Sequence, residues 1–206
     1  EAIRLARVLV ALMPDEPEAH ALLALLLLHD ARRDARTSAT GELVLLEDQD
    51  RSRWDRVEID EGRAVLDAAV RLGRPGPYLL QAAIAALHDG AARAADTDWA
   101  QIAALYARLA EIEPSPVVEL NRAVAVAMAE GPAAGLALLE VLAADGRLAD
   151  YPYLPAARAD LLRRLGRHAE AATAYARALA LTTNEVERSF LARRLAEVEG
   201  SGRRPN

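Results

Sequence analysis

Four histidines, His20, His29, His88 and His168, are the imidazoles available for metal binding or proton transfer. His20 and His29 lie nine residues apart. At ~100° per residue they fall on opposite faces of one helix and cannot share a metal. His88 and His168 sit at or near expected helix ends, where an imidazole ordinarily meets the helix dipole or solvent. Asp48, Asp50 and Ser52 open like a calcium loop, whose alternating oxygens wrap a hard cation. The sixth position of such a loop needs Gly and is Arg53, and the twelfth needs Glu and is Ile59, so calcium binding is excluded. The chain has no Cys, which removes disulfides, thiolate metal sites and Cys nucleophiles. No His-Glu-x-x-His run, Gly-rich phosphate loop or Gly-x-Ser-x-Gly elbow occurs. These residues point to no enzyme and to no cofactor.

Asp96, Thr97 and Asp98 precede "WAQIAALY" and read as an N-cap, with Trp99 covering the end of a helical hairpin. Gln81 and Asn121 lie on expected helices. Each either contacts the backbone of a bound peptide or satisfies a buried carbonyl between helices. The densest group of charges is in "GELVLLEDQDRSRWD", residues 41–55. Asp48, Asp50, Arg51, Arg53 and Asp55 alternate in sign after the apolar run Leu43–Leu46, and Trp54 follows. Four consecutive apolar residues in a loop must lie on the fold or expose an aggregation-prone patch. One reading makes the stretch a staple, its acids paired with Arg32, Arg33 and Arg36 and Trp54 pinning the helix that starts near Asp55. The other makes Asp48, Asp50, Arg51, Arg53 and Trp54 part of a partner-binding surface.

The elements that must position these residues are helices. Hydrophobic residues make up 52% of the 206 and aromatics only 4%, a composition that packs helices through Ala and Leu rather than sheets. The length is ample for a buried core. A formal net charge of −6 argues against a nucleic-acid surface. Lys is absent and all 25 basic residues are Arg, a pattern that follows from GC-rich codon usage rather than from phosphate binding. The longest apolar run, "ALLALLLL" at 21–28, falls short of the ~20 residues of a membrane span. No signal-peptide pattern is present. The expected location is the cytoplasm.

Internal periodicity sets the architecture. A small residue, a bulky one four later, Ala or Leu three after that and a following Pro recur through the chain. The best copies are Ala2-Ala6-Leu9-Pro14, Ile102-Tyr106-Leu109-Pro114 and Ala171-Tyr175-Ala178. Weaker copies are Gly62-Leu66-Ala69 and Gly135-Leu139-Leu142. Tyr106 to Leu139 is 33 residues and Leu139 to Tyr175 is 36, which bracket the ~34-residue tetratricopeptide period. Positions i, i+4 and i+7 share one helix face, and the small residue lets the partner helix approach closely. Partner helices are expected over 17–36, 76–89, 116–130 and 153–165, bounded by turn residues such as Gly131-Pro132 and Gly166. The expectation is an all-α, tetratricopeptide-like stack of antiparallel hairpins, an α-solenoid, over residues 1–198. An irregular inserted loop falls near 37–54 and a disordered tail over 199–206. Ala2–Pro14 reads as the second helix of a hairpin whose first lies upstream.

"HDARRDARTSATGELVLLEDQDRSRWD" (29–55), "AADTDWAQIAALY" and "PSPVVELNRAVAVAMAEGPAAGLALL" together are similar to one family. The chain resembles the C-terminal extension of extracytoplasmic-function (ECF) type RNA polymerase sigma factors, in the group that carries tetratricopeptide repeats. The resemblance covers about residues 1–198, and the loop is its most specific part. It implies a regulatory domain of a bacterial transcription initiation factor, with core-binding and promoter-reading domains upstream. The implied partners are the sigma-factor N-terminal domains, through them core RNA polymerase, and a protein or peptide signal. The resemblance implies no catalytic residue and no direct DNA contact by this piece. The competing expectation is a free-standing tetratricopeptide adaptor for a protein or peptide.

Overall fold

The computed structural model describes residues 1–201. Ten α-helices and four 3-10 turns make up the regular structure of the described residues, which contain no strand beyond an isolated bridge in the loop. The chain divides into two compact units. Residues 1–38 and 44–114 form the first, and residues 39–43 with 115 onward form the second.

Five helices build unit 1. They are α1 (Ala2–Leu12), α2 (Pro17–Asp30), α3 (Arg56–Leu72), α4 (Pro77–Gly90) and α5 (Trp99–Ile112). Each helix packs on its successor within α1–α5, and α2 also packs along α4, the first helices of two hairpins lying side by side. Pro17 and Pro77 sit in the first turns of α2 and α4, where a missing N–H leaves nothing unsatisfied. Asp55 and Asp98 cap α3 and α5, accepting from the N–H groups of Glu58 and Gln101 at 3.0 and 2.9 Å. The cap of α4 comes from elsewhere: Glu18 of α2 accepts from the N–H groups of Tyr78 (2.8 Å) and Leu79 (3.1 Å). A carboxylate at a helix N-terminus satisfies orphan donors and opposes the dipole. One glutamate therefore sets the register of α4 against α2.

Unit 2 repeats the scheme with α6 (Pro116–Glu130), α7 (Pro132–Asp145), α8 (Tyr153–Arg164), α9 (His168–Leu181) and α10 (Glu185–Ser201). The hairpins α6–α7 and α8–α9 pack tightly, and α10 lies on α9. One continuous core runs through the unit, with Leu139, Leu162, Ala171 and Ala178 fully enclosed. Gly166 ends α8 at φ 74°, a left-handed turn that a side chain would strain, while the N–H of Arg167 donates back to the Leu162 carbonyl at 2.9 Å.

Most of the expected anchors prove to be packing residues, although Ala2 is exposed and Leu9 and Tyr106 are only half-buried. Ala6, Ile102, Leu109, Leu139, Ala171, Tyr175 and Ala178 are all buried. Three of the four partner helices lie within one residue of the expected limits. Two boundaries differ. Regular α-helix stops at Asp30 rather than 36, giving way to a turn and the 3-10 segment Arg33–Ala35. The reason is local: the Ala31 carbonyl accepts from the N–H of Asp55 (2.9 Å), returning from the loop, so the strands of chain at the loop's two ends are tied together here. At the other end, Glu199–Ser201, expected to be disordered, continue α10. The remainder of the expected tail, 202–206, lies outside the described residues.

The weaker anchor copies carry glycine where two helices approach closely. A Cβ on Gly135 would lie 2.5 Å from the Ala123 carbonyl oxygen of α6, whereas one on Gly62 would meet side chains alone, Leu28 at 2.9 Å and the Leu27 Cβ at 3.3 Å. Gly135→Ala is expected to destabilise the chain by about 1–3 kcal/mol through overpacking, despite the better helix propensity of Ala. Gly62→Ala should cost less, because a leucine rotamer can move and a carbonyl cannot. Urea unfolding of both variants measures the order; a G135A protein as stable as the parent would show that α6 and α7 are not in close contact.

Candidate functional site

The polar centre of unit 1 lies where the inserted loop meets the C-terminal end of α4. Asp89, in the last turn of α4, is 1% exposed, and Arg32, just beyond α2, is 8% exposed. Arg32 Nε lies 3.2 Å from Asp89 Oδ1, an ion pair held by proximity rather than by an aligned N–H. Above it the loop delivers two residues. Arg51 Nη1 donates to the carbonyls of His88 and Ala91, each at 2.7 Å, and so closes the open C-terminal end of α4. Its guanidinium carbon stands 4.4 Å from the centroid of the Trp54 ring, and that of Arg32 stands 6.0 Å away. Both distances are in the range of cation–π attraction. Trp54 is 3% exposed and packs among Leu28, Ala31, Ala35, Ile59 and Ala85. His88 completes the cluster, its ring edge-on to Trp99 with centroids 5.0 Å apart.

Burial governs the titration of this group. Loss of water, reinforced by the positive charge of Arg32 and Arg36, pushes His29 down to about 4. Burial, with Arg32 and Arg51 nearby, pushes His88 down to about 4 as well. Burial pushes Asp89 up to about 6 against the pull of Arg32 and Arg51. At neutral pH the histidines are thus uncharged and Asp89 is ionised beside its arginines. A closed ion pair under an indole presents no open face to a substrate. Its chemistry is to fasten a loop.

Trp54 and Arg51 therefore act as a staple within unit 1, and Trp54 pins the start of α3 as its position predicted. The rest of the expected staple is corrected. The loop acids do not pair with the arginines that end α2: Arg32 takes Asp89, Arg33 lies near Asp30 and Asp34, and Arg36 donates to the His29 carbonyl at 2.6 Å. Asp50 turns back on Ser52, accepting from its N–H and its hydroxyl at 3.0 and 2.6 Å. Asp55 is used as the α3 cap. These short local loops reach their own backbone more easily than a distant guanidinium. Asp48 and Arg53 are exposed. The apolar run is only half-buried, with Leu46 resting against the Trp54 cluster in unit 1. In unit 2, Glu42 accepts from Arg193 of α10 at 3.0 Å, and residues Thr40–Leu43 with α10 border an open groove of about 270 Å³.

The other candidate residues separate. Gln81 is half-buried on α4, in unit 1. Asn121 is exposed on α6, in unit 2, which removes the buried-carbonyl role for it. His20 sits 2.9 Å from the Pro14 carbonyl. Among the described residues no three His, Asp or Glu converge on a metal-sized site. Asp89 and Glu18 were missed in the sequence. Their signals, an Asp following a His at a helix end and a Glu in a first turn, are too common to stand out.

Trp54→Ala is expected to cost about 3 kcal/mol or more, the range for a buried aromatic. Asp48→Arg, at an exposed position, should change stability by less than about 0.5 kcal/mol. Chemical denaturation of both variants tests the assignment, and equal effects would refute it. The pH dependence has a definite sign. His29 and His88 have folded-state values below the ordinary 6.5, so the unfolded chain takes up protons there as pH falls from 6.5 towards 4. Asp89 lies above its ordinary 3.8, so unfolding releases a proton between pH 3.8 and 6. At pH 5 the sum is an uptake of about one proton on unfolding, and the melting temperature should fall from pH 7 to pH 5. Asp89→Asn removes the opposing release, so its stability should fall more steeply with acid; an unchanged profile in that variant would show the carboxyl is already ionised at pH 5.

Residues 1–70 match a family of unknown function (DUF6596). Over 191 residues, 93% of this chain, the sequence is 53% identical to an uncharacterized protein of Rhizobium meliloti (strain 1021). The chain spans 45% of that relative's length. No solved structure matches. The loop, Trp54 and its partner Arg32 fall within the matched first 70 residues, while Asp89 lies beyond them.

Proposed function

We propose that the chain is the C-terminal regulatory, protein-interaction domain of a bacterial ECF-type sigma factor, working in the cytoplasm in transcription initiation. The observation that carries the reading is the use made of segment 29–55, the most distinctive stretch of the chain. Its charged and aromatic residues fasten a helical scaffold through Arg51, Trp54 and Arg32 rather than forming a reactive centre. A scaffold of helix hairpins has side chains along its first helices to offer a partner, and Gln81 on α4 and exposed Asn121 on α6 are such residues. The tetratricopeptide resemblance of the repeats supports the same reading, as does a relative more than twice as long as the aligned stretch. Among the described residues no helix is long and apolar enough to cross a membrane. The partners are the sigma-factor N-terminal domains, through them core RNA polymerase, and a protein or peptide signal.

Reconstituted transcription tests the proposal. The polypeptide that continues upstream of Glu1, added to bacterial core polymerase, is expected to start transcripts at specific promoters. Removal of residues 1–206 is expected to change that output at least about tenfold, the scale of a coupling near 1.4 kcal/mol. Residues 1–206 alone, with a net charge of −6, should not retain promoter DNA with sequence specificity in a gel shift at moderate salt. Specific retention by these residues alone, or a longer polypeptide that binds no core polymerase, would overturn the reading in favour of a different role.

A further inference from the structure

Helix α1 has two apolar faces on opposite sides. The inner face, with buried Ala6 and part-buried Ile3 and Val10, packs with Leu23 and Leu27 of α2. Arg7 fixes the same side to α3, donating to both Glu61 oxygens at 2.8 and 2.9 Å. The outer face carries Leu5, Val8 and Leu12, which are 54%, 46% and 75% exposed. Spaced three and four apart, Leu5, Val8 and Leu12 form one straight stripe along the helix. An amphipathic helix at the edge of a fold needs one apolar face. A helix with two is built to lie between neighbours.

The hairpin pattern says which neighbour is unoccupied. α3, in second position, packs on its own first helix, α2, and on the next first helix, α4. α1 packs on the next first helix, α2, in the same manner, and its outer stripe lies where a first helix of its own would pack. We propose that Leu5, Val8 and Leu12 seat an amphipathic helix that lies upstream of Glu1 in the same polypeptide, making α1 the second member of a complete hairpin. The size of the stripe selects this occupant. Three side chains fit one helix, whereas a stable contact between two separate copies takes about 20–30 residues a side. A segment of the same chain meets no such requirement, because its tether replaces most of the entropy cost of association. The relative supplies the precedent in length, since 55% of it lies outside the aligned stretch. The inference rests on the reading proposed above in one respect, that residues 1–206 belong to a longer polypeptide, and it names the surface on which that polypeptide meets this domain.

The absence of Cys from residues 1–206 makes a single introduced thiol a clean reporter. Val8→Cys and Leu5→Cys would be placed in residues 1–206 and in the upstream-extended polypeptide, any upstream cysteines being replaced by serine. Val141→Cys, 73% exposed on α7, is the reference. The rate of reaction with a fluorescent maleimide is the measurement. Expected are rates for Val8→Cys and Val141→Cys within about threefold of each other in residues 1–206, and about tenfold or greater protection of Val8→Cys in the extended polypeptide. Equal rates there would overturn the proposal. Protection in residues 1–206 alone that grows with concentration would assign the stripe to a second copy and overturn it too. Protection that requires phosphatidylglycerol vesicles would assign it to a membrane surface and overturn it as well. Promoter-dependent transcription is read separately. Protection without transcription keeps the hairpin and defeats the sigma-factor reading, while transcription without protection does the reverse.

Discussion

The buried Arg32–Asp89 pair is the constraint around which unit 1 is arranged. Removing two charges from water costs several kcal/mol for each ion, and attraction alone rarely returns that sum. The pair persists because its surroundings are built to it. Trp54 lies against the guanidinium groups of both Arg32 and Arg51, and Arg51 donates to the carbonyls at the end of α4. Removing Asp89 alone would leave Arg32 buried without a counter-charge, the costly arrangement, whereas an apolar replacement of both could be neutral. What the pair supplies is specificity of place. One position of the loop closes the end of α4 through Arg51 and sets the Trp54 ring against Arg32 and Arg51 at once.

Outside that centre the fold depends on small residues. Ala19, Ala21, Ala24, Ala82, Ala123, Ala125 and Ala171 are all enclosed, and glycine is used where a methyl group would strike a neighbouring backbone. Helices that approach so closely bury little area per residue, and an aromatic content of 4% leaves few large side chains to compensate. Stability then comes from many contacts of similar, modest size along each hairpin. The exceptions, Trp54 and Tyr175, are where single substitutions concentrate their effect.

The two units use the loop differently. Residues 44–54 carry the Arg51–Trp54 staple of unit 1, and residues 39–43 carry the Glu42–Arg193 bridge of unit 2. The first is largely enclosed. The second joins side chains that are 57% and 48% exposed, which salt screens and which contributes little to stability. The exposed Asp48 and Arg53 lie on the part of the loop that belongs to unit 1.

The sequence by itself determined the helices. The 3.6-residue periodicity, the Pro residues in first turns, the Asp caps and the small–bulky–small anchors placed three of four partner helices to within a residue, because those signals act within a turn or two of chain. It also identified residues 37–54 as an irregular insertion and Trp54 as its anchor, since a tryptophan beside an apolar run has to be buried somewhere. What it left open was pairing. Alternating charges in a loop look alike to every arginine within reach, so the acids of the loop were matched to Arg32, Arg33 and Arg36 when the buried partner of Arg32 is Asp89, more than fifty residues away. Only the packing of α2 against α4 brings those two side chains together, and only the burial that follows decides that His29 and His88 stay neutral and that Asp89 does not titrate as an ordinary carboxylate. Desolvation is a property of the assembled core, and no local spacing encodes it.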